Sequence, residues 1–190
     1  MEQELVAGLK PLKDGEHLFE LQATFRPKEE RLTLGKTNFG FLAVRVAKSI
    51  ASYWGGGELT NSEGLRGEKM IFGQAARWMD YSGPVPEGQG VARKTVKEGM
   101  TYFDHSSNPR HPVHWHVRED GWMGASFCML ESYVIEREQP LVLRYLLHAH
   151  SGDVLQSRAD ALHETFVKSK GFRVFKSKKP HRQFEVERLG

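Results

Sequence analysis

Two segments alternate side chains with period two. Phe19, Leu21, Ala23 and Phe25 interleave with Glu20, Gln22, Thr24 and Arg26, and Leu141, Leu143, Tyr145 and Leu147 stand opposite Val142, Arg144, Leu146, His148 and His150. A strand turns successive side chains to opposite faces, whereas a helix would scatter these apolar sets around its axis, so both segments are half-buried strands. Arg31 to Leu34, Phe41 to Ser49, Glu68 to Tyr81, Thr101 to Phe103 and Phe127 to Ile135 have strand character too. Residues 84–100, with Pro84, Pro86, Gly88, Gly90 and Gly99, read as an exposed excursion between strands. One helix is expected after Asp153, which caps it with Gln156 as reciprocal partner; Leu155, Ala159, Leu162 and Phe166 form its apolar stripe and Gly171 ends it. The pattern predicts a mainly β, antiparallel β-sandwich-like domain with one α-helix in the C-terminal region. A single β-rich domain would span residues 1–167. Residues 168–190 form a basic tail in which Phe172/Val174 and Phe184/Val186 could pair as a last hairpin.

The 190 residues suffice for one domain with a real core. A net charge of +3 hints at nucleic acid, but its distribution argues otherwise: residues 168–190 hold eight Lys/Arg against Glu185 and Glu187, so the other 167 residues are net acidic. No nucleic-acid partner is expected. No stretch approaches 18 consecutive apolar residues, so no membrane partner is expected either. The N-terminus shows no signal peptide, which places the protein in the cytoplasm or, if the chain is an N-terminally truncated form, in the periplasm or outside the cell. The lone Cys128 sits in an apolar run and reads as a buried, inert thiol.

The chemistry concentrates in residues 104–118, where four of the nine histidines fall within twelve residues. In an extended conformation His114, His116 and Arg118 project from one face while Val113, Trp115 and Val117 pack on the other. A His-x-His pair can give two nitrogens to a divalent transition metal, with further ligands from His111, Asp104 or the His148/His150 pair; His114, His116 and His150 are the candidate set. The competing reading is that these side chains are solvated or tie loops together. The Asn61-Ser62-Glu63-Gly64 loop offers an amide, a hydroxyl and a carboxylate that could hold a sugar or place a general acid, although such loops are more often turns.

These residues also carry a family resemblance. Gly55 to Gly64, then Ala76 to Gly83, then Phe103-Asp104-His105 with Asn108 to Pro112 and Trp115 to Arg118, resemble the PmoA-like family of unknown function (DUF6807). Leu143 to Tyr145 and His150 to Asp153 resemble its last strand and the start of its closing helix, so the likeness covers roughly residues 15–166. The resemblance implies a soluble β-sandwich protein of bacterial carbohydrate metabolism; a methane-oxygenase label, sometimes attached to the family, conflicts with the lack of a membrane span. Family members are longer at the N-terminus, which would make this chain the C-terminal part of the domain. The family pattern holds His116, Arg118 and His150, but not histidine at 114 or 148. This points to a sugar-processing site in which His116 acts as acid/base, Arg118 orients an oxygen-rich substrate, and Asp104 and His105 assist. Asn108, His111, Trp115, Asn61, Glu63 and His150 would contact a sugar or oligosaccharide. The alternatives are a non-catalytic carbohydrate-binding module, with Trp115 as stacking platform, and a purely structural polar loop. An edge strand could pair with a second copy to form a homodimer.

Overall fold

A computed structural model describes all of residues 1–190. In chain order its elements begin with β1 (Glu2–Pro11), β2 (His17–Arg26), β3 (Arg31–Leu34), β4 (Ala43–Arg45), the single turn α1 (Ser52–Gly55), β5 (Glu58–Asn61) and a second turn α2 (Glu68–Ile71). There follow β6 (Trp78–Glu87), β7 (Lys94–Asp104), β8 (Trp115–Arg118), β9 (Trp122–Ala125), β10 (Tyr133–Glu136), β11 (Leu141–Ser151), α3 (Gln156–Lys168), β12 (Phe172–Lys176) and β13 (Phe184–Arg188).

The expected mainly β, antiparallel architecture is present. Six strands form one sheet in the order β1-β2-β11-β7-β6-β5, and β4-β9-β8 form a smaller one. The period-two segments are its centre: β2 pairs with β11 from Leu141↔Phe25 to Ala149↔His17. One face of the large sheet presents Ala23, Phe25, Met79, Tyr81, Tyr102, Leu143 and Tyr145 to Trp115, Val117 and Met123 of the small sheet. This sandwich-like layer is the main core. The opposite face carries a smaller core, in which Trp78, Phe103 and Leu146 meet Ala159 and Phe166 of α3.

Several boundaries differ from expectation, each for a local reason. Residues 84–100 are no excursion: β6 and β7 continue as a paired ribbon to Glu87↔Lys94. Pro84 and Pro86 are tolerated there because β5 pairs with β6 only as far as Ser82, so beyond it one side of the strand has no ladder to break. Residues 68–71 form the helical turn α2, and the strand expected over 127–135 shrinks to β10. β1, which shows little alternation, is an additional edge strand paired along its whole length with β2.

The helix forms, but its start is built otherwise. Its N-cap is Leu155 with no side-chain cap; Asp153 holds Lys97 Nζ at 2.6 Å, and Gln156 Nε2 donates to the Ser62 carbonyl at 2.9 Å. Leu155 is largely exposed, and His163 joins Ala159 and Phe166 on the buried stripe. The helix ends before Gly171, at Ser169, whose N–H and hydroxyl both donate to the Phe166 carbonyl. Gly171 has another use: a Cβ there would lie 2.6 Å from Gln22 Oε1. The tail hairpin exists as β12 and β13. It is tied to the large sheet by Gln22, which bonds both backbone groups of Phe172, and by Arg188 Nη2 on Glu20 Oε2 at 2.5 Å.

Candidate functional site

One end of the large sheet gathers the loops that follow β5, precede β6 and follow β7. Asp104 closes β7 and is about 1% exposed. Asn108 Nδ2 donates to its Oδ1 at 2.6 Å, and His111 Nδ1 meets its Oδ2 at 2.9 Å. Burial pushes the Asp104 pKa up, against the opposing hydrogen bonds from His111 and Asn108. An ionised carboxylate only accepts, so the bond to Asp104 holds a ring proton on His111 Nδ1. Nε2 has no partner in the chain, on a side chain 13% exposed. The His163 ring stacks on His111 with centroids 5.6 Å apart and planes 11° apart, and its Nε2 donates to the Asp104 carbonyl at 3.1 Å. Burial lowers the His163 pKa, which keeps the ring neutral. One aspartate therefore orients two histidines, one through its carboxylate and one through its backbone. Nearby, Arg77 pairs with Asp160 at 3.1 Å, and Asp160 also accepts from Trp78 Nε1 at 2.9 Å.

The other residues of this loop are structural. Asn108 clamps β11: its Oδ1 accepts the Arg144 N–H and its Nδ2 also donates to the Arg144 carbonyl, both at 2.8 Å. His105 Nε2 accepts from Arg144 Nη1 at 2.8 Å, and Nδ1 meets the Ser107 hydroxyl at 2.8 Å. Both ring nitrogens are engaged, and burial followed by the Arg144 charge pushes the His105 pKa down to about 4. With both nitrogens engaged it holds the loop to β11 and has no free lone pair for the assisting role at a substrate expected of it. Arg144, which the loop motif does not reveal, is the hub: it also pairs with Glu20 at 2.8 Å and donates to the Ser169 carbonyl and hydroxyl.

His116 and Arg118 lie elsewhere. They sit on the outer face of the small sheet, where His116 stands across from Gly124 and Arg118 from Trp122. The ring neighbours of His116 are Phe39 at 5.0 Å, Phe72 at 5.4 Å and Trp122 at 6.3 Å. Burial, with the Arg118 charge, lowers its pKa. Arg118 Nη1 pairs with Glu68 Oε1 at 2.6 Å. Trp115 points the opposite way: it is fully buried against Tyr102, with Nε1 donating to the Ala76 carbonyl. It cannot offer a stacking face, which corrects its expected ligand contact.

His150 belongs to a third place, beneath the start of α3. Its Nε2 meets Asp80 Oδ2 at 2.8 Å, and Ser82 and Thr101 hydroxyls complete the Asp80 carboxylate. Burial works against its proton, but Asp80 outweighs it and the His150 pKa is raised. Beside it His148 contacts Glu16 at 2.9 Å, and Arg158, gripping the same carboxylate, holds the Glu16 pKa down at about 2. His114 bridges Ala75 through the backbone. The set His114, His116 and His150 is thus not assembled, and no group of three or more His, Cys, Asp or Glu side chains is placed to hold a metal ion. Asn61 makes a turn, its Oδ1 accepting the N–H groups of Glu63 and Leu65, while exposed Glu63 accepts from the Ser62 hydroxyl.

Sequence reasoning missed His163, Asp80, Glu16 and Trp122. The alternation of Arg144, His148 and His150 on one strand face signalled a polar outer sheet face; His163 gave no signal beyond its place on the helix. No helix of the chain is long and apolar enough to cross a membrane. No curated protein and no solved structure matches the chain. A family model described as "Family of unknown function (DUF6807)" matches residues 1–164, from the first strand into α3. The loop carrying Asp104 and His111 and the helix carrying His163 lie within that span, and the chain belongs to the DUF6807 family of unknown function.

Proposed function

We propose that the chain performs acid/base chemistry on an oxygen-rich, sugar-like substrate, with His111 as the proton-transfer group and Asp104 as the residue that orients it. The observation that carries this reading is the asymmetry of His111: Nδ1 is fixed on a buried carboxylate while Nε2 has no partner. A carboxylate-held imidazole keeps its tautomer and presents one basic nitrogen, the arrangement general bases use. Arg77, held by Asp160 at the same end of the sheet, offers donors for substrate oxygens. The PmoA-like resemblance, with its bacterial carbohydrate context, supports the substrate class.

The test is turnover of a panel of sugars, keto-sugars and oligosaccharides by wild type, His111→Ala and His105→Ala. Wild-type turnover that falls about 10²–10⁴-fold in His111→Ala supports the reading. A folded His111→Ala variant with undiminished turnover, or no turnover by wild type on any substrate, overturns it.

A second copy forms part of the proposal. β1 leaves its outer edge unpaired and exposes Leu5 and Leu9. Antiparallel pairing of two β1 strands would satisfy that edge. A dimer mass in light scattering that becomes monomeric in Leu9→Lys supports it; a wild-type monomer counts against it.

A further inference from the structure

Five buried side-chain polar atoms lack a hydrogen-bond partner, and three of them, His116 Nδ1, Asp120 Oδ1 and Trp122 Nε1, belong to the small sheet's outer face and its β8–β9 turn. Buried polar atoms are ordinarily satisfied, because an unpartnered one forfeits its hydration without return. Three together mark a place built for something else to bond. His116 is 7% exposed, so water has little access to its ring.

The surroundings define the ligand. Phe39, itself 59% exposed, packs beside His116 at 5.0 Å and meets Trp122 edge-on at 6.3 Å, while Arg45 lies over the indole at 5.3 Å. A ring so exposed is held by little burial and can be displaced. Gly124 leaves the floor open; a Cβ there would stand 3.4 Å from Trp122 Nε1. Both cations of the face are neutralised in place, Arg45 by Asp120 at 2.7 Å and Arg118 by Glu68 at 2.6 Å, so an anion would meet no free charge. What remains is an indole N–H donor, a carboxylate acceptor, an imidazole nitrogen that can serve either way, and aromatic faces. Hydroxyl groups donate and accept equally well, and the C–H face of a sugar ring packs on indole.

We propose that the outer face of the small sheet is a recognition site for a neutral pyranose ring, which packs against Trp122 and Phe39 with its hydroxyls meeting Trp122 Nε1, His116 Nδ1 and Asp120 Oδ1. The site is separate from Asp104 and His111. It shares only the ligand class with the reading above and does not depend on turnover.

The experiment is a titration of the full chain, ¹⁵N-labelled, with methyl β-D-glucopyranoside, methyl β-D-galactopyranoside and cellobiose, following the indole N–H signals. Citrate serves as anionic control, and Trp122→Phe assigns the Trp122 signal. Additions to about 50 mM cover the millimolar affinity such a shallow site would have. The expected result is a saturable shift of the Trp122 indole signal with at least one sugar, not with citrate, weakened several-fold in Phe39→Ala. A Trp122 signal that moves with no sugar, or moves with citrate alone, overturns the site even if turnover persists. Loss of turnover in His111→Ala with the Trp122 titration intact leaves this site standing.

Discussion

The loop after β7 and the outer face of the small sheet both carry histidine and arginine, yet they are finished differently. Around Asp104 and Arg144 nearly every polar group has a partner: Asn108 uses both ends of its amide, His105 both nitrogens, and Arg144 spans a histidine, a carboxylate and the end of α3. His111 keeps one ring nitrogen free, and Arg144 Nε is the buried polar atom of this network left without a partner. On the outer face, three buried polar atoms have none. The first region is held by its polar groups; the second holds them open. Histidine density in a sequence cannot distinguish these cases, because the difference lies in what other strands bring.

The largest way to break the contrast is Arg144→Ala. It strips the partners from His105 Nε2 and weakens the hold on buried Glu20, and breaking a buried pair in this way costs about 3–5 kcal/mol. Urea unfolding of wild type and variant measures it; a loss below about 1 kcal/mol would mean the network is not what holds the loop.

Acid comes next. His105 has a folded pKa of about 4 against an ordinary 6.5, so the unfolded chain takes its proton first. Its contribution is complete above pH 6.5 and disappears as pH falls towards 4, a loss of up to about 3 kcal/mol. Glu16, with a folded pKa of about 2 against 4.5, extends the decline below pH 4.5. Urea midpoints from pH 7 to pH 4 should fall steadily, and the slope between 6.5 and 4 should flatten in a folded His105→Gln variant. An equal slope would remove His105 from the account.

Gly99→Ala tests the third histidine site. A Cβ there would lie 2.5 Å from the His150 ring and 2.7 Å from the Ser82 hydroxyl, so β7 or the ring must shift. Overpacking of this kind costs about 1–3 kcal/mol, read as a lower melting temperature. Trp122→Phe gives the smallest effect. It removes an N–H that bonds nothing, so stability should stay within about 0.5 kcal/mol of wild type. A large destabilisation would make the outer face structural and erase the contrast.

Particular residues show how far the sequence reaches. β2 and β11 were legible because one face of each is apolar and the other largely polar, which period two records directly, although the helix and the tail hairpin bury most of the polar face as well. β1 was not, since Leu5 and Leu9 remain exposed and only Val6 is buried. Pro84 and Pro86 suggested a loop because proline breaks ladders, but a strand with one free side has no ladder there to lose. The contact between Asp104 and His111 spans seven residues and lay within the motif. Arg144 reaches His105 across 39 residues and His163 reaches Asp104 across 59, so the parts that decide which histidine is free come from elements no local pattern connects.

The central claim is that Asp104 fixes the His111 tautomer and leaves Nε2 as a base. Long-range ¹H–¹⁵N NMR of the histidine rings at neutral pH reads it directly. The account predicts a His111 ring protonated on Nδ1, where Asp104 holds it, with Nε2 carrying the lone pair. A His111 ring protonated on Nε2 at neutral pH, or indistinguishable from a freely exchanging imidazole in both wild type and Asp104→Asn, would contradict it.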